Sequence, residues 1–221
     1  MSSMVNWAFI GCGNVVKYKS GGAFNIPGKS SIEAVFSRNE RNAKSVSSMF
    51  QASNYFTSIE ELLLDDSINA VYIATPPGLH LKNALSCCRA NKPVYIEKPL
   101  ARNLTEANTI VNSFKESHIP IYVAHYYRAQ PKFKFIKDQI QKNVIGIPEA
   151  VHFCLERYYE PLPWHYKPEI SGGGRFFDIA PHSLDIIQNL FGKFFDIHGN
   201  ACNYNSKYQV EDVVMMTFMT E

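Results

Sequence analysis

No stretch of this chain is apolar over the roughly 18 residues that a helix needs to cross a bilayer, so a membrane span is not expected. The N-terminus has no charged segment ahead of an apolar core, so a secretory signal is not expected either. The five cysteines (Cys12, Cys87, Cys88, Cys154 and Cys202) form no Cys-x-x-Cys pair, and an odd, scattered set argues against a disulfide framework. The seven histidines are equally dispersed, and none has zinc-ligand spacing with a nearby Cys or His. Charge of one sign is missing too: 22 Lys and Arg stand against 20 Asp and Glu. The densest basic stretch, Lys132-Phe133-Lys134-Phe135, reads as a solvated helix face backed by an apolar one. These absences point away from membrane, metal and nucleic-acid partners. Cytoplasm is the compartment expected by default.

What is present is an ordinary globular composition, 46% hydrophobic and 19% charged over 221 residues. That length suits one large domain or two small ones. Compact apolar runs at Val5–Ile10, Ile32–Phe36, Ala70–Ala74, near Val94 and at Ile121–Ala124 read as strands. Between them lie helical patterns at Asn39–Phe50, at Ser58–Leu64 (Ser58 and Glu61 making a capping box), after Pro77, and from Thr105 to about Ser117. This alternation predicts a doubly wound parallel sheet over residues 1–124. Beyond Ala124 the rhythm changes. A helix near Lys132–Lys142, a long strand at Ala150–Tyr158, a proline-rich stretch, three glycines, an apolar helix and strands near Phe194–Ala201 and Val213–Met219 predict a second, α+β domain over 125–221.

Gly11-Cys12-Gly13-Asn14-Val15-Val16 follows the first strand. In a dinucleotide turn the first glycine makes the bend, the second lets the pyrophosphate approach, and the amides that follow, here Asn14 and Val15, form the helix end on which it rests. Val16 stands where a small residue is expected. The second strand ends in Ser37-Arg38 rather than in the carboxylate that holds the ribose hydroxyls of NAD. A hydroxyl and a guanidinium attract a 2′-phosphate. NADP is therefore expected in preference to NAD.

The run Val94-Tyr95-Ile96 breaks at Glu97-Lys98-Pro99, which puts an ammonium at a strand's carboxyl end, where open α/β sheets bind ligands. Later, Gly172-Gly173-Gly174 precedes Asp178, Pro181, His182 and Asp185. Because proline fits only the first turn of a helix, that helix is expected to start near Asp178. Asp178 and His182 would then share one side, and Asp185 could orient the imidazole. Histidine is suited to exchange a proton near neutral pH. Taken singly, Asp178 also reads as an N-cap and His182 as a satisfied buried histidine.

Together these residues resemble the Gfo/Idh/MocA oxidoreductases, the family of glucose–fructose oxidoreductase and inositol dehydrogenase. The matching elements come in the family's order: Gly11-Cys12-Gly13, Ala74-Thr75-Pro76-Pro77 with His80, Glu97-Lys98-Pro99-Leu100, Tyr127-Arg128 with Pro131, Gly172-Gly173-Gly174, Asp178, His182 and Asp185. The resemblance implies an N-terminal Rossmann domain, a C-terminal substrate and oligomerisation domain with an open sheet, and hydride transfer between a nicotinamide and a secondary alcohol or carbonyl of a sugar, polyol or cyclic diol. It implies that His182 is the general base, that Lys98 hydrogen-bonds the reacting oxygen, and that Asp178 binds substrate hydroxyls. It places Thr75, Pro76, His80 and Glu97 with the cofactor, and makes Lys98–Pro99 a candidate cis peptide. It also implies a longer chain, so the C-terminal sheet is expected to be incomplete and homo-oligomerisation through it depends on the rest. A sensor or remnant that binds cofactor without turnover is the alternative.

Overall fold

A computed structural model describes residues 4–156, 163–204 and 208–221. The chain divides into two compact units, Met1–Ala124 and His125–Glu221.

In the first unit the apolar runs become strands β1 (Val5–Ile10), β2 (Ser30–Phe36), β3 (Asn54–Phe56), β4 (Ala70–Ile73), β5 (Val94–Ile96) and β6 (Ile121–Val123). All pair in parallel, in the order β3-β2-β1-β4-β5-β6. This is the doubly wound dinucleotide-binding order, and its direction of growth reverses between β1 and β4. Strand periodicity builds the two faces. Ala8 and Ile10 point into one core with Ala84, Cys87, Ile110 and Phe114, while Phe9 points into the other with Val35, Val46 and Tyr72. Each large side chain so buried contributes roughly 1.5–3 kcal/mol.

The helices are α1 (Glu40–Phe50), α2 (Ile59–Leu64), α3 (His80–Arg89) and α4 (Leu104–Glu116). The side chains of Asn39, Ser58 and Asn103 cap α1, α2 and α4 by accepting from the amides of Asn42, Glu61 and Glu106. The Ser58 hydroxyl itself donates to Glu60, at 3.0 Å.

Two features of this unit differ from the sequence reading. β3 was not expected: it is a three-residue edge strand with two exposed residues, too short to show a period. The helix after the glycine turn is irregular, with a π turn at Val16–Ser20 followed by a 3-10 turn at Gly21–Phe24. Its end is fixed by packing, since the Phe24 ring stacks on Tyr72 at 4.6 Å and meets Phe9 edge-on at 5.0 Å. Val16 is fully buried in that same core and so fits where a small residue was expected.

The second unit contains α5 (Pro131–Gln141), α6 (Pro168–Ser171), α7 (Arg175–Phe191) and the antiparallel pair β7 (Phe194–Cys202) and β8 (Val213–Thr220). The strand expected at Ala150–Tyr158 is not formed over 150–156, which are exposed and without regular structure, and Tyr158 lies outside the described residues. Alternation there meets no pairing strand among the described residues, and an unpaired strand leaves its backbone groups to water. In β8, Val214, Met216 and Phe218 are half-buried while Val213, Met215 and Met219 are exposed, so this strand has one half-buried and one open face, whereas β7 is exposed on both faces from Phe195 to Ala201. No helix among the described residues is long and apolar enough to cross a membrane.

Candidate functional site

In the first unit the carboxyl ends of β1, β2 and β4 open onto a cleft of about 460 Å³, lined by Gly11, Gly13, Ser37, Arg38, Thr75 and Pro76 among others. The two glycines answer different demands. Gly11 has φ +114°, and a Cβ on it would lie 2.7 Å from the Ala74 carbonyl oxygen, so conformation and packing both require glycine. Gly13 is exposed, and a Cβ there would meet nothing within 4 Å. Among the described residues nothing calls for glycine at that position, which leaves bare backbone facing open space beside the cleft. Asn14 and Val15 follow it as the first helical residues. Cys12, between the glycines, is buried and donates to the Phe36 carbonyl at 3.3 Å. Burial raises its thiol to about 11, outweighing the opposing charge of Lys17.

Ser37 and Arg38 lie where β2 ends. Arg38 is exposed and has no ion-pair partner among the described residues. Ser37 Oγ accepts from the Asn39 amide and from Asn42 Nδ2, both at 3.3 Å. Lys82 and Asn83 also line the cleft, and Asn83 Nδ2 donates to Thr75 Oγ1 at 3.2 Å.

Glu97 and Lys98 follow β5, and the Lys98–Pro99 peptide is cis. The Glu97 carboxylate accepts from the Tyr72 hydroxyl at 2.5 Å and from the Lys98 amide at 3.3 Å. Tyr72 also meets Ser20 Oγ at 2.8 Å, so a part-buried hydroxyl chain fixes the carboxylate. Burial first, and then the Glu97 charge, push the Tyr72 phenol far above its usual range, so it remains a donor. His80, expected beside the cofactor, is fully buried. Its Nε2 lies 2.8 Å from the Thr75 carbonyl and its Nδ1 2.9 Å from the Pro99 carbonyl. It ties the Thr75 loop to the Lys98 loop rather than facing a ligand. Burial outweighs these carbonyls and lowers its pKa.

In the second unit α7 starts at Arg175, not near Asp178, which corrects the sequence reading and places Pro181 inside the helix. Pro181 removes the helical donor to the Phe177 carbonyl. The early start is held from a distance: the Glu211 carboxylate accepts from the Gly174 amide at 2.7 Å and the Phe177 amide at 3.1 Å, and its backbone carbonyl accepts from the Arg175 amide at 3.2 Å. A Cβ on Gly174 would collide with Glu211 backbone, so this glycine admits the cap. Asp178 is therefore a first-turn residue, not the N-cap. It lies 3.9 Å from His165 Nε2, and both line a pocket of about 260 Å³ with Arg175, Tyr208 and Asp212. His182, one turn on, stacks on the Tyr127 ring at 4.7 Å and meets Tyr126 edge-on at 4.8 Å. Asp185, expected to orient His182, is gripped by Arg128, whose Nε is 2.8 Å from Oδ2. That carboxylate raises the Arg128 pKa. Among the described residues no three His, Cys, Asp or Glu gather as a metal would require.

Asn42, Lys17, His165, Tyr126 and Glu211 were not singled out by sequence. Most of their partners are distant in the chain, as Cys12 and Lys17 are from Asn42 and Gly174 is from Glu211, and no spacing signals them.

Two family models cover the chain. The first, an oxidoreductase family with an NAD-binding Rossmann fold, GFO_IDH_MocA, matches residues 5–125, and the GFO/IDH/MocA C-terminal domain matches 133–221. The chain is 40% identical over 212 residues to Oxidoreductase P35 of Formosa agariphila, covering 93% of this chain and 66% of that protein. It is 29% identical over 187 residues to 1,5-anhydro-D-fructose reductase of Ensifer adhaerens, covering 84% and 56%. A levoglucosan dehydrogenase solved with NADH and levoglucosan superposes with a TM-score of 0.83 at 24% identity, covering 99% of this chain and 64% of that one. The chain thus spans less than two thirds of the length of these relatives.

Proposed function

The chain belongs to the GFO/IDH/MocA family of oxidoreductases, and on that premise we propose that it transfers hydride between NADP(H) and a secondary alcohol or carbonyl of a sugar, polyol or cyclic diol. Residues 1–124 are the cofactor domain in this reading, and 125–221 the substrate and oligomerisation domain.

The observation that carries it is Gly13, a glycine that neither packing nor backbone conformation demands, at the mouth of the switch-point cleft. It leaves room for a pyrophosphate beside the Asn14 and Val15 amides. The cofactor, when bound, supplies or accepts hydride at the carbon bearing the reacting oxygen. Arg38 and Ser37 hold the 2′-phosphate, and the choice of NADP rests on them. The relative named above is solved with NADH, and its preference is its own. Glu97 and the Thr75–Pro76 loop flank the nicotinamide riboside, and His80 keeps that loop in register with Lys98.

Lys98 donates a hydrogen bond to the reacting oxygen and stabilises the negative charge that develops there. His182 takes the hydroxyl proton in oxidation and returns it in reduction, with its ring held by Tyr126 and Tyr127. Asp178 binds substrate hydroxyls. The relatives' printed names, levoglucosan dehydrogenase and anhydrofructose reductase, support a sugar-like substrate. Self-association through the open face of β7 and β8, with Met215 and Met219 exposed, belongs to the same proposal.

A screen of polyols and ketoses followed by nicotinamide absorbance tests the activity. Turnover of a sugar-like compound is expected. Cofactor binding without turnover of any of them would favour a sensor. Arg38→Ala tests the cofactor choice: losing a charge-assisted bond of about 1.5–3 kcal/mol should cut NADPH affinity by one to two powers of ten and leave NADH affinity nearly unchanged. An unchanged NADPH-to-NADH ratio would remove the NADP assignment.

A further inference from the structure

We infer that Asn42 is a specificity-determining positioning residue, which fixes the Ser37 hydroxyl as a hydrogen-bond donor toward the cleft and so selects the phosphorylated dinucleotide. The inference rests on the cofactor reading above and assigns a role to a residue outside the glycine turn and the Ser37-Arg38 pair.

The orientation of the Asn42 amide is settled by its neighbours. Lys17 Nζ lies 2.6 Å from one of its side-chain atoms. An ammonium only donates, so that atom is Oδ1. The other atom, Nδ2, lies 3.3 Å from the Cys12 carbonyl oxygen, which only accepts. Both ends of the amide give the same assignment. Nδ2 is then also the atom 3.3 Å from Ser37 Oγ, and it donates there.

Ser37 Oγ receives a second N–H, from the Asn39 amide at 3.3 Å. A serine hydroxyl has two acceptor lone pairs and one proton. With both lone pairs facing N–H donors, the hydroxyl's remaining capacity is its proton. Ser37 lines the cleft beside the exposed Arg38. A hydroxyl restricted to donating suits a phosphate oxygen, which is acceptor-only. It suits a ribose hydroxyl less well, because that group has a proton of its own to place.

Asn42 also links three segments. Its amide joins the residue after Gly11 to the end of β2 and accepts a hydrogen bond from Lys17 on the irregular helix. Asn42→Ala removes the donor to Ser37. Asn42→Asp keeps the shape and the Lys17 contact but turns the group facing Ser37 into an acceptor, which draws the hydroxyl proton away from the cleft.

The test is a double-mutant cycle on the full chain, reading the ratio of NADH to NADPH dissociation constants by fluorescence titration, with thermal melting of each variant alongside. Ser37→Ala should lower the NADPH preference by about tenfold or more, the value of one hydrogen bond to a charged group, and Asn42→Ala should lower it by no more than Ser37→Ala. The double variant should fall no further than Ser37→Ala alone, because Asn42 acts through Ser37. Asn42→Asp should lower the preference more than Asn42→Ala. A change at Asn42 that merely loosened the fold would weaken both cofactors alike and leave the ratio in place, which would overturn the inference. So would full additivity of the two alanine variants. A wild-type protein that binds both cofactors but does not prefer NADPH would overturn the cofactor reading itself, and the role of Asn42 with it.

Discussion

Lys98 and His182 illustrate how much chemistry a single residue type can announce before its surroundings are known. A lysine just past a buried strand and a histidine on an apolar helix were both legible from the sequence; the company each keeps was not. Lys98 stands beside a carboxylate fixed by Tyr72, and His182 is stacked on Tyr127 and edge-on to Tyr126. If their roles are electrostatic and proton-transferring, Lys98→Ala and His182→Ala should each lower kcat by about two powers of ten or more. Cofactor dissociation constants should stay within a few-fold of wild type, and an equal loss of binding and rate would contradict those roles. Cys12 gives a pH-dependent case. With its thiol raised to about 11 by burial, almost no thiolate exists at neutral or mildly alkaline pH. Alkylation of the native protein near pH 8 should label the exposed Cys154 and spare Cys12 until the chain is unfolded, as peptide mass spectrometry would show. Rapid native labelling of Cys12 would mean that its side chain faces the cleft instead of the core.

Among the elements, local signals were read well and distant ones were not. α1, α2 and α4 begin where Asn39, Ser58 and Asn103 can reach an amide three residues on, a signal contained in the sequence. α7 begins where Glu211, on the approach to β8, reaches across to it, and no local pattern shows this. Pro181 was informative about helix chemistry but misleading about the start, because a cap supplied from elsewhere stabilises the additional turn. Glu211→Ala should therefore cost about 1–2 kcal/mol of stability, the range for losing a helix cap, measured by denaturant melting. Glu211→Gln should recover part of it, and a neutral Glu211→Ala would mean the cap is dispensable. The glycine turn divides in the same physical way. Gly11→Ala should lower the melting temperature, because it places a Cβ against Ala74 at positive φ. Gly13→Ala should melt like wild type while losing NADPH affinity. Equal melting losses in the two variants would contradict a ligand-driven reason for Gly13.

On the scale of the whole molecule, the alternation of strands and helices announced a doubly wound parallel sheet in the first unit; the strand order and the short edge strand β3 came from the structure. Its period-2 and helical patterns are local and its connections obey a strong handedness rule. The second unit was less legible. Residues 150–156 alternate as a strand should, yet a strand exists only where another supplies its hydrogen bonds, and sequence periodicity does not say whether one is there. The cleft at the switch point follows from topology alone; its selectivity depends on side chains brought together from the ends of β1 and β2 and from α1. Titration of the full chain with NADPH and with NADH, read by nucleotide fluorescence, tests the account most directly. Saturable binding of both, tighter for NADPH, is the result expected from Gly13, Ser37 and Arg38. Failure of the folded protein to bind either nucleotide would contradict it.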